Sequence, residues 1–264
     1  MRLLKSIGIF SSVLRIKSYS IVRPNLKGNS NSKPVFLTFD DGPNYIDNIT
    51  IELLSVLKKH NVKVCFFMIG KNVKQYPHIV RQMYLDGHIL GNHGHTGDPF
   101  IFKKMSAIPQ DISDCNKAIC EAIENKDYIV EYFRPGYGAY FKKHQPMWEA
   151  QKMRILPVTD FFFDHKVKPN RMEKFVGHFT KKVKKNNGGI YVLHDGRNEH
   201  HKINSKIEAA RSKNKTSDYD RIWIPAAVDK IIIELKSNGF IFPTLDDGLS
   251  NKLHPDFETF LFSK

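Results

Sequence analysis

The chain has 264 residues, of which 41% are hydrophobic, 12% aromatic and 26% charged, and its length suits one large α/β domain or two small ones. The composition excludes a disordered protein, the lack of a repeat of about 20–50 residues excludes a solenoid, and no apolar run reaches the roughly 18 residues of a transmembrane helix. Lysine and arginine number 41 against 27 aspartates and glutamates. The formal net charge of +14 favours partners that carry phosphate or carboxylate, with a solvated lysine-rich surface as the plainer alternative.

The amino-terminal segment is basic and partly apolar. An apolar stretch from Ile7 to Leu14 lies between basic residues, and it is at most a weak secretion signal because no clear cleavage site of small residues follows it. A segment that rests on a membrane surface is the alternative. We therefore expect a cytoplasmic protein or one peripheral to the membrane, with secretion through this weak signal left open. The three cysteines show no paired spacing and do not require an oxidising compartment.

Strand and helix patterns alternate after a linker predicted at residues 23–34. In chain order we predict strand Val35–Phe39, helix Ile49–His60, strand Val64–Ile69, helix Gln75–Asp86, strand His88–Leu90, helix Ile112–Glu124, strands Ile129–Phe133 and Ile155–Val158, helix Met172–Lys185, strand Ile190–Leu193, helix Ala226–Asn238 and strand Phe240–Phe242. Such alternation is typical of a mainly parallel sheet with outer helices, and both a (β/α) barrel and an open doubly wound sheet fit it. Residues 196–222 carry no apolar stripe and predict a long charged loop.

Polar clusters lie directly after the predicted strands. They are Thr38–Pro43, Gly91–Pro99, Phe133–Gly138, Thr159–His165 and Leu193–Gly196. Each cluster taken singly is more often a turn or an ordinary polar loop. Because the carboxyl ends of parallel strands meet at one rim, their ordered occurrence predicts a shared site. No glycine-rich phosphate-binding motif follows a strand, which argues against a nucleotide-binding protein.

The clusters supply carboxylates, imidazoles and an arginine. Carboxylate oxygens and imidazole nitrogens suit a zinc-like divalent ion that keeps open coordination positions. A further carboxylate can act as a general base, a separate histidine can protonate a leaving group, and the arginine can fix the base. This set of groups predicts metal-assisted hydrolysis of an amide or an ester.

The order of the clusters and the residues within them resemble the motifs of a known family. TFDDGP, GNHGH, FRPGYG, the pair Asp160 and Asp164, and LHD are similar to the five motifs of NodB-type polysaccharide deacetylases, which form carbohydrate esterase family four. The resemblance covers roughly residues 34–245. It implies an α/β fold, a distorted (β/α) barrel of mainly parallel strands with outer helices. It also implies a deacetylase domain at 34–250, after an amino-terminal segment and linker at 1–33 and before a tail at 251–264.

The resemblance implies a base and a metal site in the first three motifs. Asp40 would be the general base, and Arg134 would hold and orient it. Asp41 and His93 would be metal ligands, and the ion is expected to be Zn, with Co or Ni as alternatives. The arginine motif departs from the family in having Gly136 where a second proline is usual, which would loosen the loop without removing Arg134.

The remaining motifs imply an oxyanion donor and an acid. The backbone N–H of Tyr137 would stabilise the oxyanion, His194 would protonate the departing amine, and Asp164 would pair with His194 and tune it. The paired-aspartate motif departs from the family pattern, because Asp160 and Asp164 are four residues apart instead of three and His165 stands where a tryptophan is expected. A bulge could absorb the extra residue.

The metal-binding motif departs most clearly. The family places two histidines at i and i+4, but the second of these positions is Gly97, which has no side chain. His95 would reach the same ion if the segment is extended or looped, and Asp98 would do so if the loop is one residue longer. We expect His95 to be the third ligand and keep Asp98 as the alternative.

The resemblance implies a metal-dependent hydrolase that removes N-acetyl groups from an acetamido sugar in a cell-envelope glycan or a lipid-linked saccharide. A catalytically silent, saccharide-binding domain that has lost the ligand at position 97 is an alternative, and an O-acetyl esterase or deformylase on the same scaffold is another. The expected partner is an acetylated saccharide, anionic or lipid-linked, with peripheral membrane contact also expected. No nucleic-acid partner is expected, because the lysine-rich stretches lack interleaved aromatic residues, and the oligomeric state stays open.

Overall fold

The computed structural model describes residues 16–18, 33–44, 48–156, 158–196, 209–210, 212–213 and 221–245. Most of the predicted amino-terminal segment and linker lies outside the described residues, as do most of the loop predicted at 196–222 and the whole predicted tail at 251–264. None of the helices in the described ranges has the length and hydropathy of a membrane span.

The core of the fold is a parallel sheet. Its strands are β2 (Lys33–Asp40), β3 (Cys65–Met68), β4 (Ile89–Asn92), β5 (Tyr132–Phe133), β7 (Arg154–Ile155), β8 (Asp160–Phe161), β9 (Gly189–His194) and β10 (Phe240–Ile241). They pair in the order β7-β5-β4-β3-β2-β9-β8, with β10 beside the start of β2. Within the described residues no ladder joins β7 to β8, so the sheet forms a curled half-barrel. The predicted distorted (β/α) barrel is confirmed.

Two short strands form a separate antiparallel pair. They are β1 (Ile16–Ser18) and β6 (Ala139–Phe141), which align Lys17 with Tyr140. Strand β6 directly follows the predicted oxyanion turn at Gly136–Gly138 in the sequence. Neither strand was predicted, because three residues are too few to show an alternating apolar pattern.

Helices surround the sheet. They are α1 (Ile49–Lys59), α2 (Gly70–Gln75), α3 (Pro77–Leu85), α4 (Ile108–Ala122), α5 (Gln145–Glu149), α6 (Met172–Asn186) and α7 (Ile224–Ser237). Each long helix turns one apolar stripe inward; in α1 the stripe includes Ile49, Leu53 and Leu57. Proline at the first turn of α3, α4 and α7 starts these helices, because its fixed φ suits that position and no amide hydrogen is needed there.

The alternation of side chains along β2 separates the helix-packed face from the concave face of the half-barrel. Leu37 and Phe39 belong to the large apolar cluster that includes the helices, whereas Phe36 belongs to a smaller cluster formed mainly by strand residues. Thr38 and Asp40 therefore share the concave face with Phe36. An apolar floor thus lies below the polar carboxyl end of β2, where the predicted site residues are found.

Candidate active site

Asp40 ends β2 and is held by a buried arginine. The Nη1 atom of Arg134 donates to Asp40 Oδ1 at 2.6 Å and to Thr38 Oγ1 at 2.8 Å. Both charged side chains are almost completely buried, and the guanidinium lies over the ring of Phe67, 3.9 Å from its centroid. A buried ion pair of this kind is stable only while both partners are present. The arrangement keeps a carboxylate in one orientation at the rim of the half-barrel.

Asp41 and His93 lie together beside this pair. Asp41 follows β2 in a left-handed conformation (φ 71°), which turns its side chain away from the strand direction. His93 Nε2 lies 3.3 Å from Asp41 Oδ1, and His93 Nδ1 donates to the backbone oxygen of Arg134 at 2.7 Å. The loop that carries Arg134 therefore fixes the ring orientation of His93. Burial would raise the pKa of Asp41, but the hydrogen bond from His93 and the charge of His194 lower it to about 2.

The Asp41 and His93 pair fits a divalent metal ion. Nδ1 of His93 carries the proton that is donated to the Arg134 backbone oxygen, so in a neutral imidazole Nε2 presents a lone pair to the Asp41 carboxylate. A cation bound between Nε2 and the carboxylate oxygen would remove the repulsion between these two electron-rich atoms. Their separation of 3.3 Å also matches the roughly 3.3–3.5 Å between neighbouring nitrogen and oxygen ligands of a tetrahedral zinc ion.

His95 is not placed with Asp41 and His93, in contrast to the expectation from the sequence. Within the described residues, one group of three acidic, histidine or cysteine side chains has ligand atoms that all lie within 4.8 Å of one another, and it consists of Asp164, His165 and His194. Neither His95 nor Asp98 therefore completes such a group with Asp41 and His93. The ring of His95 packs against Gly70, and its Nδ1 is buried without a hydrogen-bond partner in the described structure.

The position of His95 follows from a contact that local spacing does not reveal. The carboxylate of Asp111, on α4, accepts hydrogen bonds from the backbone N–H of His95 at 3.1 Å and of Thr96 at 3.3 Å. Lys103 donates to the same carboxylate at 2.7 Å. These bonds hold the turn in a shape that points His95 at α2. The described structure thus brings two of the three predicted ligands together.

His194 and Asp164 form the second half of the site. His194 ends β9 and is aligned with Asp40 in the ladder between β2 and β9. Its Nδ1 donates to Asp164 Oδ1 at 2.7 Å, and its backbone N–H donates to Asp164 Oδ2 at 2.9 Å. Burial would lower the pKa of His194, but the charge and hydrogen bond of Asp164 raise it to about 9. Because Nδ1 of the resulting imidazolium is bonded to Asp164, Nε2 is the ring nitrogen that can donate a proton to a substrate.

Aromatic side chains surround this histidine. Phe161 lies edge-on to His194 with ring centroids 6.0 Å apart, and His165 does so at 5.7 Å. Burial lowers the pKa of His165 to about 4, with a further contribution from the charge of His194. Asp164, His165 and His194 are close enough to be considered as a second cation site. The hydrogen bonds that already occupy both oxygens of Asp164 favour the role of an acid pair.

The predicted oxyanion turn lies against the loop that follows His93. Tyr137 adopts a left-handed conformation (φ 60°), and its side chain is exposed. A Cβ atom at Gly136 would lie 3.0 Å from the backbone oxygen of Gly97 and 3.1 Å from that of Asp98. Glycine at position 136 therefore permits a close approach of two backbones, and the departure from the family's proline has a packing reason.

Two further buried ionisable groups lie at the site, Arg221 and Asp195, and the sequence motifs give neither of them a role. Arg221 donates to Asp164 at 2.8 Å. Asp195 accepts a hydrogen bond from Thr50 at 2.6 Å and lies under Gly42, and burial raises its pKa to about 7. Arg221 lies three residues before the first residue of α7, so a charged residue beside the apolar start of a helix was the signal in the sequence.

Comparison with known proteins gives a consistent family assignment. The family model for polysaccharide deacetylase matches residues 27–155. The peptidoglycan-N-acetylmuramic acid deacetylase PdaA of Bacillus subtilis is 28% identical over 228 residues, which cover 85% of this chain and 74% of the relative. A chitooligosaccharide deacetylase of Azorhizobium caulinodans is 30% identical over 166 residues, covering 63% of this chain and 75% of that protein.

The fold agrees with this assignment. The solved structure of Bacillus subtilis PdaA, described as a family 4 carbohydrate esterase, aligns with a TM-score of 0.65 at 24% identity, covering 96% of this chain and 90% of that one. At this identity the structural likeness supports the fold alone. Together with the matched family model and the sequence relatives, it agrees with the motif resemblance: the chain belongs to the polysaccharide deacetylase family.

Proposed function

We propose that this protein is a metal-dependent N-deacetylase that acts on an acetamido sugar of a cell-envelope glycan or a lipid-linked saccharide. The observation that carries the proposal is the joint placement of Asp40, the Asp41 and His93 pair, and His194 at one rim of the half-barrel. The names of the relatives, which are deacetylases of peptidoglycan and chitooligosaccharides, support the same substrate class.

An amide is a poor electrophile with a poor leaving group, so its hydrolysis needs a base and an acid. Asp40 is held by Arg134 as an oriented base that can accept a proton from water. His194 lies across the ladder from Asp40 and is protonated at neutral pH, so it can donate a proton to the departing nitrogen. The N–H of Tyr137 supplies a hydrogen bond to the developing oxyanion. A divalent ion held by Asp41 and His93, Zn or else Co or Ni, would polarise the acetyl oxygen.

A second candidate is a saccharide-binding domain without catalytic activity. Two observations favour it: position 97 has no side chain, and His95 packs against Gly70. The buried Arg134–Asp40 pair argues for the enzyme, because such a pair often stabilises a fold no better than hydrophobic residues would, and orienting a base gives a reason to retain it. The same groups could hydrolyse an O-acetyl ester or a formamide. The test must therefore distinguish acetyl from formyl groups, and nitrogen from oxygen as the sugar atom that carries the group.

The test is release of acetate by purified protein. N-acetylated chitooligosaccharides and peptidoglycan fragments are incubated with protein loaded with zinc, and acetate is measured with and without a chelator. We expect acetate release that the chelator abolishes, and slower release from a matched O-acetylated sugar. Protein that retains a stoichiometric metal ion yet frees no acetyl or formyl group would support the silent domain instead.

Three further expectations belong to the proposal. The deacetylase domain spans residues 34–250, and its saccharide substrate is anionic or lipid-linked. The protein is cytoplasmic or peripheral to the membrane, with secretion through the weak amino-terminal signal left open. The net charge of +14 supports an anionic partner. Cosedimentation with vesicles that contain anionic lipid tests the membrane contact, and absence of binding at low salt would reject it.

A further inference from the structure

Arg221 is a buried cation that lies outside all the family motifs. Its side chain is 2% exposed, and it lies three residues before the start of α7. Its Nη1 atom donates to Asp164 Oδ2 at 2.8 Å and to the backbone oxygen of His194 at 3.3 Å. A buried guanidinium must be paired to be tolerated, and these two contacts pair Arg221 with both members of the acid pair.

The contacts of Asp164 show what this arginine can do. Asp164 Oδ1 accepts from His194 Nδ1, and Asp164 Oδ2 accepts from the backbone N–H of His194 and from Arg221. Three donors on two oxygens fix the plane of the carboxylate, and that plane fixes the rotation of the imidazole ring. Without Arg221, His194 would be the one cation bonded to a desolvated carboxylate and would hold its proton more tightly.

Resting on the proposed function, we infer that Arg221 is the positioning residue of the acid pair: it locks Asp164 so that His194 keeps its ring orientation and can release its proton to the leaving group. Arg221 touches neither the substrate nor the Asp41 and His93 pair in this scheme. Its effect on the imidazole ring of His194 is exerted through Asp164, while its bond to His194 itself reaches only the backbone oxygen.

A double-mutant cycle separates this role from a merely structural one. Arg221→Gln is expected to lower kcat by about tenfold or more with little change in KM, and Arg221→Lys, which keeps a cation, is expected to recover part of the loss. In an Asp164→Asn background, Arg221→Gln should change kcat by less than about threefold, because the carboxylate on which it acts is gone. Equal factors in both backgrounds would overturn the inference.

The control is Arg154→Gln. Arg154, on the edge strand β7, forms an ion pair with Glu131 at 2.9 Å, and the two side chains are 42% and 51% exposed. It is expected to leave kcat within about twofold of wild type. A loss of kcat in Arg154→Gln as large as that in Arg221→Gln would mean that the effect comes from general destabilisation, and the inference would fail.

A spectroscopic measurement keeps the inference independent of activity. In metal-free protein the Nδ1 proton of His194 is expected to give a downfield NMR signal, since it is bonded to Asp164 at 2.7 Å. Arg221→Gln should shift or broaden this signal, whereas Arg154→Gln should not. An unchanged signal in folded Arg221→Gln rejects the inference, and wild-type protein that shows the signal but frees no acetate rejects the proposed function alone.

Discussion

Arg134 and Asp40 form an ion pair shielded from water on both sides, with 0% and 1% of their side chains exposed and 2.6 Å between Nη1 and Oδ1. The pair joins the ends of two strands, β5 and β2, that are separated in the sheet by β3 and β4. One contact therefore braces the concave face of the half-barrel while it orients the proposed base.

Replacing Asp40 by asparagine should separate catalysis from metal binding. The substitution keeps an oxygen that can accept from Arg134 but removes the base, so we expect kcat to fall by about 10²-fold or more. Asp41 and His93 are untouched, so zinc content by elemental analysis should equal that of wild type. Full turnover by Asp40→Asn would show that another group takes the proton.

His93 and His95 give a matched pair of variants for the metal site. His93→Ala removes a ring that faces Asp41 at 3.3 Å, and we expect zinc affinity measured by calorimetry to fall at least about tenfold. His95→Ala removes a ring that packs against Gly70, so the affinity should stay within about threefold. A large loss in His95→Ala would mean that the loop rearranges to bring His95 to the ion.

The protonation of His194 should depend on Asp164. In metal-free protein we expect His194 to titrate near pH 9 by NMR, because Asp164 raises its pKa. Since the folded-state pKa lies above the ordinary value of 6.5, the stability contributed is complete at low pH and is lost as the pH rises through about 9. Asp164→Asn should move the titration below that of wild type, and an unchanged midpoint would contradict the pairing.

Asp195 should make the protein less stable as the pH rises. Burial raises its pKa from 3.8 to about 7, so the folded state holds a proton that the unfolded chain releases, and stability is lost between about pH 4 and pH 7. Asp195→Asn removes this dependence, so its free energy of unfolding in urea, relative to that of wild type, should rise by about 3 kcal/mol between pH 5 and pH 8. The control is Asp127→Asn, at an exposed position, whose free energy of unfolding should differ from that of wild type by the same amount at pH 5 and at pH 8.

Much of the fold could be predicted because its helices carry clear apolar stripes. The start of α1 and of α6 agrees with the prediction, and the end of each differs from it by one residue. The helix α2 was missed because six residues with one buried apolar side chain, Val73, carry no stripe. The helix α3 begins at Pro77 instead of Gln75, because proline suits the first turn and favours an extended residue before it.

The site was predictable where its residues lie at strand ends in sequence motifs. Asp40, Arg134 and His194 are brought to one rim by the sheet itself. The placement of His95 depends on Asp111, on a helix that follows later in the chain, because this carboxylate holds the loop of His95 in shape. Arg221 belongs to no motif, and its contact with Asp164 joins residues 57 positions apart. Contacts of that kind depend on tertiary packing and leave no local pattern.

The alignment of β2 with β9, which sets Asp40 opposite His194, has a consequence for how this protein can fail. Sliding one strand past the other by a single residue would bring Phe39 opposite His194 and point the carboxylate at the helices. A substitution that weakens the pairing of β2 with β9 far from the rim would therefore abolish the activity, although every side chain of the proposed site would still be present.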